Sequence, residues 1–256
     1  MKLQSKVAVI TGGSQGIGLG CARIFGKYGC KLVFGARGEE IGHAAEQELA
    51  DAGIEALYVK TDVTQSVDLE RLIDAALNRF GKLDCMVNNA GWHPPAETID
   101  EVSVEDFDQL VRLNLTSTFA GCKFALPHLR KTRGNIINIS SIVALLGQDR
   151  AVRYAATKAA QLGLTRALAL DLAPEHVRVN AVCPAGVVTP LLRSWAASQF
   201  DPDEAMTRVD QLHPGGRSAS IDEIGEVCAF LASDEASFIT GQAICPDGGA
   251  SLGFRR

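Results

Sequence analysis

The chain has 256 residues, 46% of them apolar and 21% charged, with a formal net charge of −5. That balance fits one large α/β domain or two small ones, and with no basic cluster of five it argues against nucleic acid or an anionic membrane as partner. Seven cysteines without a CxxC pair predict a reducing compartment and no zinc site, no apolar run approaches a membrane span, and the early first strand leaves no space for a signal peptide, so the cytoplasm is expected.

Lys6–Ile10 reads as a buried strand, Thr11–Gly18 (TGGSQGIG) as a turn, and Leu19–Tyr28 as a helix stopped by Gly29. Strand, glycine turn and helix in that order form a dinucleotide-binding arrangement. Glycines permit a tight turn and close backbone approach, and the helix N-terminus faces the pyrophosphate. Gly12, Ser14, Gln15, Gly16, Ile17 and Gly18 are the expected contacts, although the spacing is GxxxGxG rather than GxGxxG. The second strand, Lys31–Phe34, leads into Gly35-Ala36-Arg37-Gly38. An NAD site would place an acid here for the ribose hydroxyls. Ala36 stands there instead, with Arg37 beside it, and a guanidinium can grip a 2′-phosphate. NADP is therefore the preferred cofactor, with NAD possible and Arg37 as a solvated loop residue the bland alternative.

Glu39–Ala52 is an amphipathic helix, and a third strand, Ala56–Val59, ends at Thr61-Asp62-Val63. Asp62 could meet an adenine amino group or cap the helix starting near Ser66. That helix, Val67–Phe80, precedes strand Asp84–Val87 and then Asn88-Asn89-Ala90-Gly91, where small and amide residues let the chain pass close to a flat cofactor. After Trp92-His93-Pro94-Pro95, a helix from about Val104 to Lys131 holds Asn114, either as a core hydrogen-bonding group or as the holder of a water beside Lys158.

Asn135–Ile139 is a short β-branched strand ending in Ser140 and Ser141. A loop with Gly147 follows, and then a helix to about Leu172 on which Tyr154 and Lys158 share a face. An ammonium beside a phenol favours phenolate and lowers the phenol pKa, and the Ser141 hydroxyl could share a substrate oxygen. Such a trio can take a proton from an alcohol or return one to a carbonyl. YxxxK alone is a weak signal; the upstream glycine turn strengthens it. Val177–Val182 is a further strand and Cys183–Pro190 its loop. Residues 190–215 are the least regular stretch and the candidate substrate lid. A helix at Ile221–Ala232 and a strand at Gly241–Cys245 complete the chain. The expected architecture is a single domain over residues 1–256: a doubly wound parallel sheet of Rossmann type with helices on both faces and ligands at the carboxyl ends of its strands.

TGGSQGIG, Asp62-Val63, NNAG at 88–91, Asn114, Ser141, YAATK and PAGVVTP together resemble the short-chain dehydrogenase/reductase family over essentially the whole chain. The resemblance implies that Tyr154 is the acid/base, and that Lys158 lowers its pKa and holds the nicotinamide ribose. Ser141 would polarise the substrate oxygen, and Asn114 would order a relay water. It further implies cofactor contacts from Asp62, Val63, Asn89, Ala90, Gly91, Pro184, Gly186, Val187 and Thr189, and a homotetramer. Ala185 departs from the family's usual glycine. Two closer likenesses compete. NNAGWHPP and the LGQ before Tyr154 resemble 17β-hydroxysteroid dehydrogenases of type 14, whereas HVRVNAVCPAGVVTPLLRSW resembles bacterial L-fucose dehydrogenases. The polar set His93, Gln148, Asp149, Arg150 and Arg153, with Trp195 as a flat face for a pyranose, favours oxidation of an L-fucose-like sugar. The alternatives are a 17β-hydroxysteroid, reduction of a 3-oxoacyl thioester, or a dinucleotide-sensing module without turnover.

Overall fold

A computed structural model describes residues Met1–Gly253. Its strands are β1 (Val7–Thr11), β2 (Lys31–Ala36), β3 (Ala56–Lys60), β4 (Cys85–Asn88), β5 (Asn135–Ile139), β6 (Arg178–Val182) and β7 (Ala243–Ile244). They form one sheet in the order β3-β2-β1-β4-β5-β6-β7, every pair parallel. β1 and β5 are buried along their whole length, as strands covered on both faces must be. The order reverses between β1 and β4, so a crevice opens beyond their carboxyl ends.

The helices are α1 (Gly16–Lys27), α2 (Glu39–Asp51), α3 (Ser66–Phe80), α4 (Val104–Val111), α5 (Ser117–Thr132), α6 (Val143–Leu146), α7 (Val152–Leu172), α8 (Pro190–Ala197), α9 (Pro202–Gln211) and α10 (Ile221–Ala232). One core, around Ile10, Phe25, Phe34 and Cys228, packs α1, α2 and α10 against one sheet face. A second, around Val9, Leu72, Met86, Leu129 and Leu172, packs α3, α5 and α7 against the other. The expected doubly wound architecture is thereby met.

Two departures bear on function. The helix read as continuous from Val104 is broken by a π-turn at Arg112–Thr116, which contains Asn114. Residues 190–215, read as irregular, hold α8 and α9. Each of these helices opens on a capping side chain followed by proline: Thr189 accepts from Leu192 N and Asp201 from Glu204 N.

Candidate active site

The glycine turn owes its shape to a residue far away in sequence. Gly12 has φ +65°, a left-handed conformation that glycine adopts without steric cost. Asn89, just past β4, donates from Nδ2 to Thr11 O at 2.8 Å and Gly12 O at 3.0 Å. Thr11 Oγ1 in turn accepts from Asn89 N and Ala90 N, both at 3.0 Å. A Cβ on Gly18 would lie 2.2 Å from Gly12 O and 2.6 Å from Asn89 Nδ2. Gly18 therefore acts by letting the turn close, not by lining the crevice, whereas Asn89 both stitches the turn and lines the crevice. Across it, Gly16 faces Thr189, whose methyl would be 3.5 Å from an added Cβ.

The crevice is a cleft of about 650 Å³ lined by the glycine turn, Gly35–Gly38, Thr61, Val63, Asn89–His93, Ser140, Tyr154, Lys158 and Thr189–Leu191. That volume suits a cofactor-sized ligand. Although the chain is acidic overall, no carboxylate lines this cleft among the described residues, whereas Arg37 and Lys158 do. Such a lining attracts an anion, and with the helix N-terminus of α1 and the glycine cradle it fits a dinucleotide. Arg37 is exposed at the end of β2 and makes no ion pair among the described residues. Asp62 is used otherwise: its Oδ1 accepts from Thr64 N at 3.0 Å and Thr64 Oγ1 at 2.8 Å, and it does not line the cleft. The expected helix cap is not observed: Asp62 stabilises its own turn through Thr64, while α3 starts at Ser66 after Gln65.

β5 and α7 deliver the reacting groups. Tyr154 is half-buried and hydrogen-bonded to Ser141. Lys158, 4% exposed, donates from Nζ to Ile139 O at 2.8 Å, with Nζ 5.7 Å from the centre of the Tyr154 ring. Burial pulls the Lys158 ammonium down to about 8. The expectation that Lys158 lowers the Tyr154 pKa is not met by protein groups alone: burial pushes the phenol up to about 12, and the opposing influence is the Ser141 hydrogen bond. Lys158 spends its proton on a backbone carbonyl, and it is itself partly discharged by the same burial.

Asn114 is wholly buried, and its hydrogen-bonding capacity is nearly filled by protein. Its Oδ1 accepts from Trp92 N at 2.9 Å, and its Nδ2 donates to Trp92 O at 3.0 Å and Thr157 Oγ1 at 3.2 Å. Its main-chain oxygen accepts from Gln161 Nε2 at 2.7 Å and Thr118 Oγ1 at 2.9 Å. The core-bonding reading of Asn114 is the one observed; it fastens the Trp92 segment to α7.

On the substrate side, the His93 ring lies 4.1 Å from the Tyr154 ring, its Nδ1 is 2.7 Å from Pro94 O, and its Nε2 is 3.3 Å from Gln148 Oε1. His93, Gln148, Ser141 and Tyr154 therefore form one group. Arg150 and Arg153 do not join it: Arg150 pairs with Glu101, and Arg153, buried under the Trp92 ring, pairs with Glu97. Trp195 is 41% exposed and outside the cleft lining, where Trp92 and Leu191 stand instead. Among the remaining loop positions, Val187 is buried in a bridge to Ala219, Pro184 O accepts from Ile142 N at 3.0 Å, and Gly186 packs on His213. Sequence reasoning passed over Trp92, Leu191 and His213. Leu191 was findable as the second residue of a helix that Thr189-Pro190 announces.

A nucleotide cradle beside a Ser-Tyr-Lys group defines a dinucleotide-dependent oxidoreductase. The family model adh_short_C2, described as "Enoyl-(Acyl carrier protein) reductase", matches residues 12–251. L-fucose dehydrogenase of Mus musculus is 46% identical over 255 residues, which cover 100% of this chain and 92% of that protein. 3beta-hydroxysteroid dehydrogenase 1 of Eggerthella lenta is 37% identical over 253 residues, with 98% and 95% covered. The solved structure of Thermoplasma acidophilum aldohexose dehydrogenase superposes with a TM-score of 0.89 at 33% identity, covering 99% of this chain and 97% of that one. The chain belongs to the short-chain dehydrogenase/reductase family and is an NAD(P)-dependent oxidoreductase acting on CH–OH groups.

Proposed function

We propose that this enzyme oxidises a ring hydroxyl of an L-fucose-like aldose, with NADP preferred over NAD. The observation that carries the sugar reading is the His93–Gln148 pair stacked beside Tyr154, polar groups at hydrogen-bonding reach of a hydroxyl next to the reacting one. The names of the mouse and Thermoplasma relatives support it. Arg37 beside Ala36, in a cleft lined by no carboxylate among the described residues, supports NADP.

Bound dinucleotide supplies the hydride acceptor. Ser141 hydrogen-bonds the substrate oxygen and Tyr154 accepts its proton; in the reverse direction Tyr154 returns that proton to the carbonyl. Lys158, anchored on Ile139 O, holds the ribose and carries positive charge only below about pH 8. Asn114 acts one step back by fixing Trp92 and the chain that leads to His93. We assign the protein to the cytoplasm and to a homotetramer, the assembly that exposed Phe119 on α5 and Leu170 on α7 would serve. No helix of the described residues is long and apolar enough to cross a membrane.

The test is initial-rate reduction of NADP and NAD across a panel of aldoses, with a 17β- and a 3β-hydroxysteroid as controls. Turnover of L-fucose or a stereochemical relative, at higher kcat/KM with NADP, is expected. Steroid turnover with silence on every sugar would overturn the sugar reading, and a preference for NAD would overturn the role given to Arg37.

A further inference from the structure

His213 lies in the turn after α9, far from the Ser-Tyr-Lys group in sequence and 4% exposed. Its Nε2 stands 3.1 Å from Gly186 N, and its Nδ1 3.3 Å from Asp210 O. A backbone N–H can only donate and a carbonyl can only accept. The ring is therefore the neutral tautomer protonated at Nδ1, accepting from Gly186 through the Nε2 lone pair. Gly186 lies in the loop Pro184–Thr189, between β6 and α8. A Cβ there would meet His213 Cε1 at 2.7 Å and Val209 Cγ1 at 2.8 Å, so the loop is seated directly against the imidazole. Two further bonds continue the seam: Ala219 N to Gly186 O and Val188 N to Ala219 O, each at 2.9 Å.

We propose that His213 is a positioning residue: by accepting the Gly186 N–H it holds the Pro184–Thr189 loop in its cofactor-receiving shape and ties that loop to α9, so that loop and lid move as one body. This rests on the dinucleotide reading of the cleft, whose wall Thr189 and Pro190 form. The groups facing the imidazole come from three segments. The Asp210 carbonyl belongs to α9 itself, and the Asp210 carboxylate is held by Ser218 N at 2.7 Å and Ser218 Oγ at 2.6 Å. Gly186 comes from the loop. Gly248 packs on the ring from the C-terminal turn, which Asp247 caps through Gly249 N and Ser251 N. A second proton on the ring would leave it with two donors and no acceptor, pointing N–H at N–H. The tie therefore depends on an acceptor at the Nε2 position.

Calorimetric titration of the intact enzyme with NADP, and with NAD in parallel, tests this with His213→Leu and His213→Gln. Glutamine keeps an acceptor oxygen and leucine does not. His213→Leu is expected to weaken dinucleotide binding about five- to ten-fold, the size of one lost neutral hydrogen bond, and to raise the KM for dinucleotide far more than it changes kcat. His213→Gln is expected to recover most of that affinity. Unchanged affinity and KM in a folded His213→Leu overturn the proposal. If that variant does not fold, His213→Gln decides: affinity lowered about ten-fold or more in the folded glutamine variant overturns it. A parent enzyme that binds neither NADP nor NAD overturns the dinucleotide reading as well, which sets that failure apart from failure of the tie alone.

Discussion

The glycine turn and the α8–α9 segment both follow the carboxyl ends of strands, yet they are held in different ways. The turn is stitched across the sheet by Thr11 and Asn89, residues 78 apart in the chain, through four hydrogen bonds beside the core. α8 and α9 open on their own caps and carry surface pairs such as Arg208–Glu204, their bonds to the neighbouring loop run through Asp210–Ser218 and His213–Gly186, and Trp195 on α8 and Phe200 between the helices are exposed. Long-range bonds in a buried setting share the stability of the whole domain, whereas local ones open at small cost.

The sharpest test separates chemistry from both regions. Tyr154→Phe should lower kcat at least about a thousand-fold, the scale of a lost acid/base, while dinucleotide affinity stays within about two-fold. A turnover rate unchanged by it would sink the mechanism. Because burial holds the parent phenol near 12, alcohol oxidation should also speed up as pH rises and carbonyl reduction should not, a contrast read from paired pH profiles.

Breaking the cradle comes next. Asn89→Ala removes two part-buried hydrogen bonds and leaves the Thr11 and Gly12 carbonyls short of partners. A loss of about 2–3 kcal/mol in urea unfolding is expected, together with weaker dinucleotide binding. Stability within 0.5 kcal/mol of the parent's, roughly the size of an ordinary surface substitution, would show that the turn stands without its stitch.

Lys158→Met should move stability the other way. Native Lys158 gives up its proton near 8 but an unfolded lysine holds it to 10.5, so parent stability falls as pH drops through that window and stays lower beneath it. At pH 7 the variant should gain on the order of 2 kcal/mol, after the lost bond to Ile139 O is discounted, while turnover disappears. A variant less stable than the parent at pH 7 would refute the cost assigned to the buried ammonium.

The smallest effect belongs to the α8–α9 link. Phe200→Ser, at a fully exposed position, should leave the melting temperature within about 1 °C. A drop of several degrees would mean that this surface is covered in the assembled protein.

Much of this protein was legible in the chain. Short continuous apolar runs alternating with helical stretches point to a parallel sheet covered on both faces, and TGGSQGIG, NNAG and YAATK are local because each sits at one strand end. The starts of α8 and α9 were also written, in Thr189-Pro190 and Asp201-Pro202, although proline and charge made the segment read as irregular. What packing alone decided are the relations between distant residues. Asn114 is drawn into a π-turn where its main-chain oxygen meets Gln161, 47 positions later. Arg153 turns under Trp92 to Glu97, and both it and Trp195 stay outside the cleft lining. Gly186 finds the His213 lone pair across 27 residues. The burial that raises Tyr154 and lowers Lys158 is of the same kind, because the energy of a charge depends on what surrounds it, and only the folded chain supplies those surroundings.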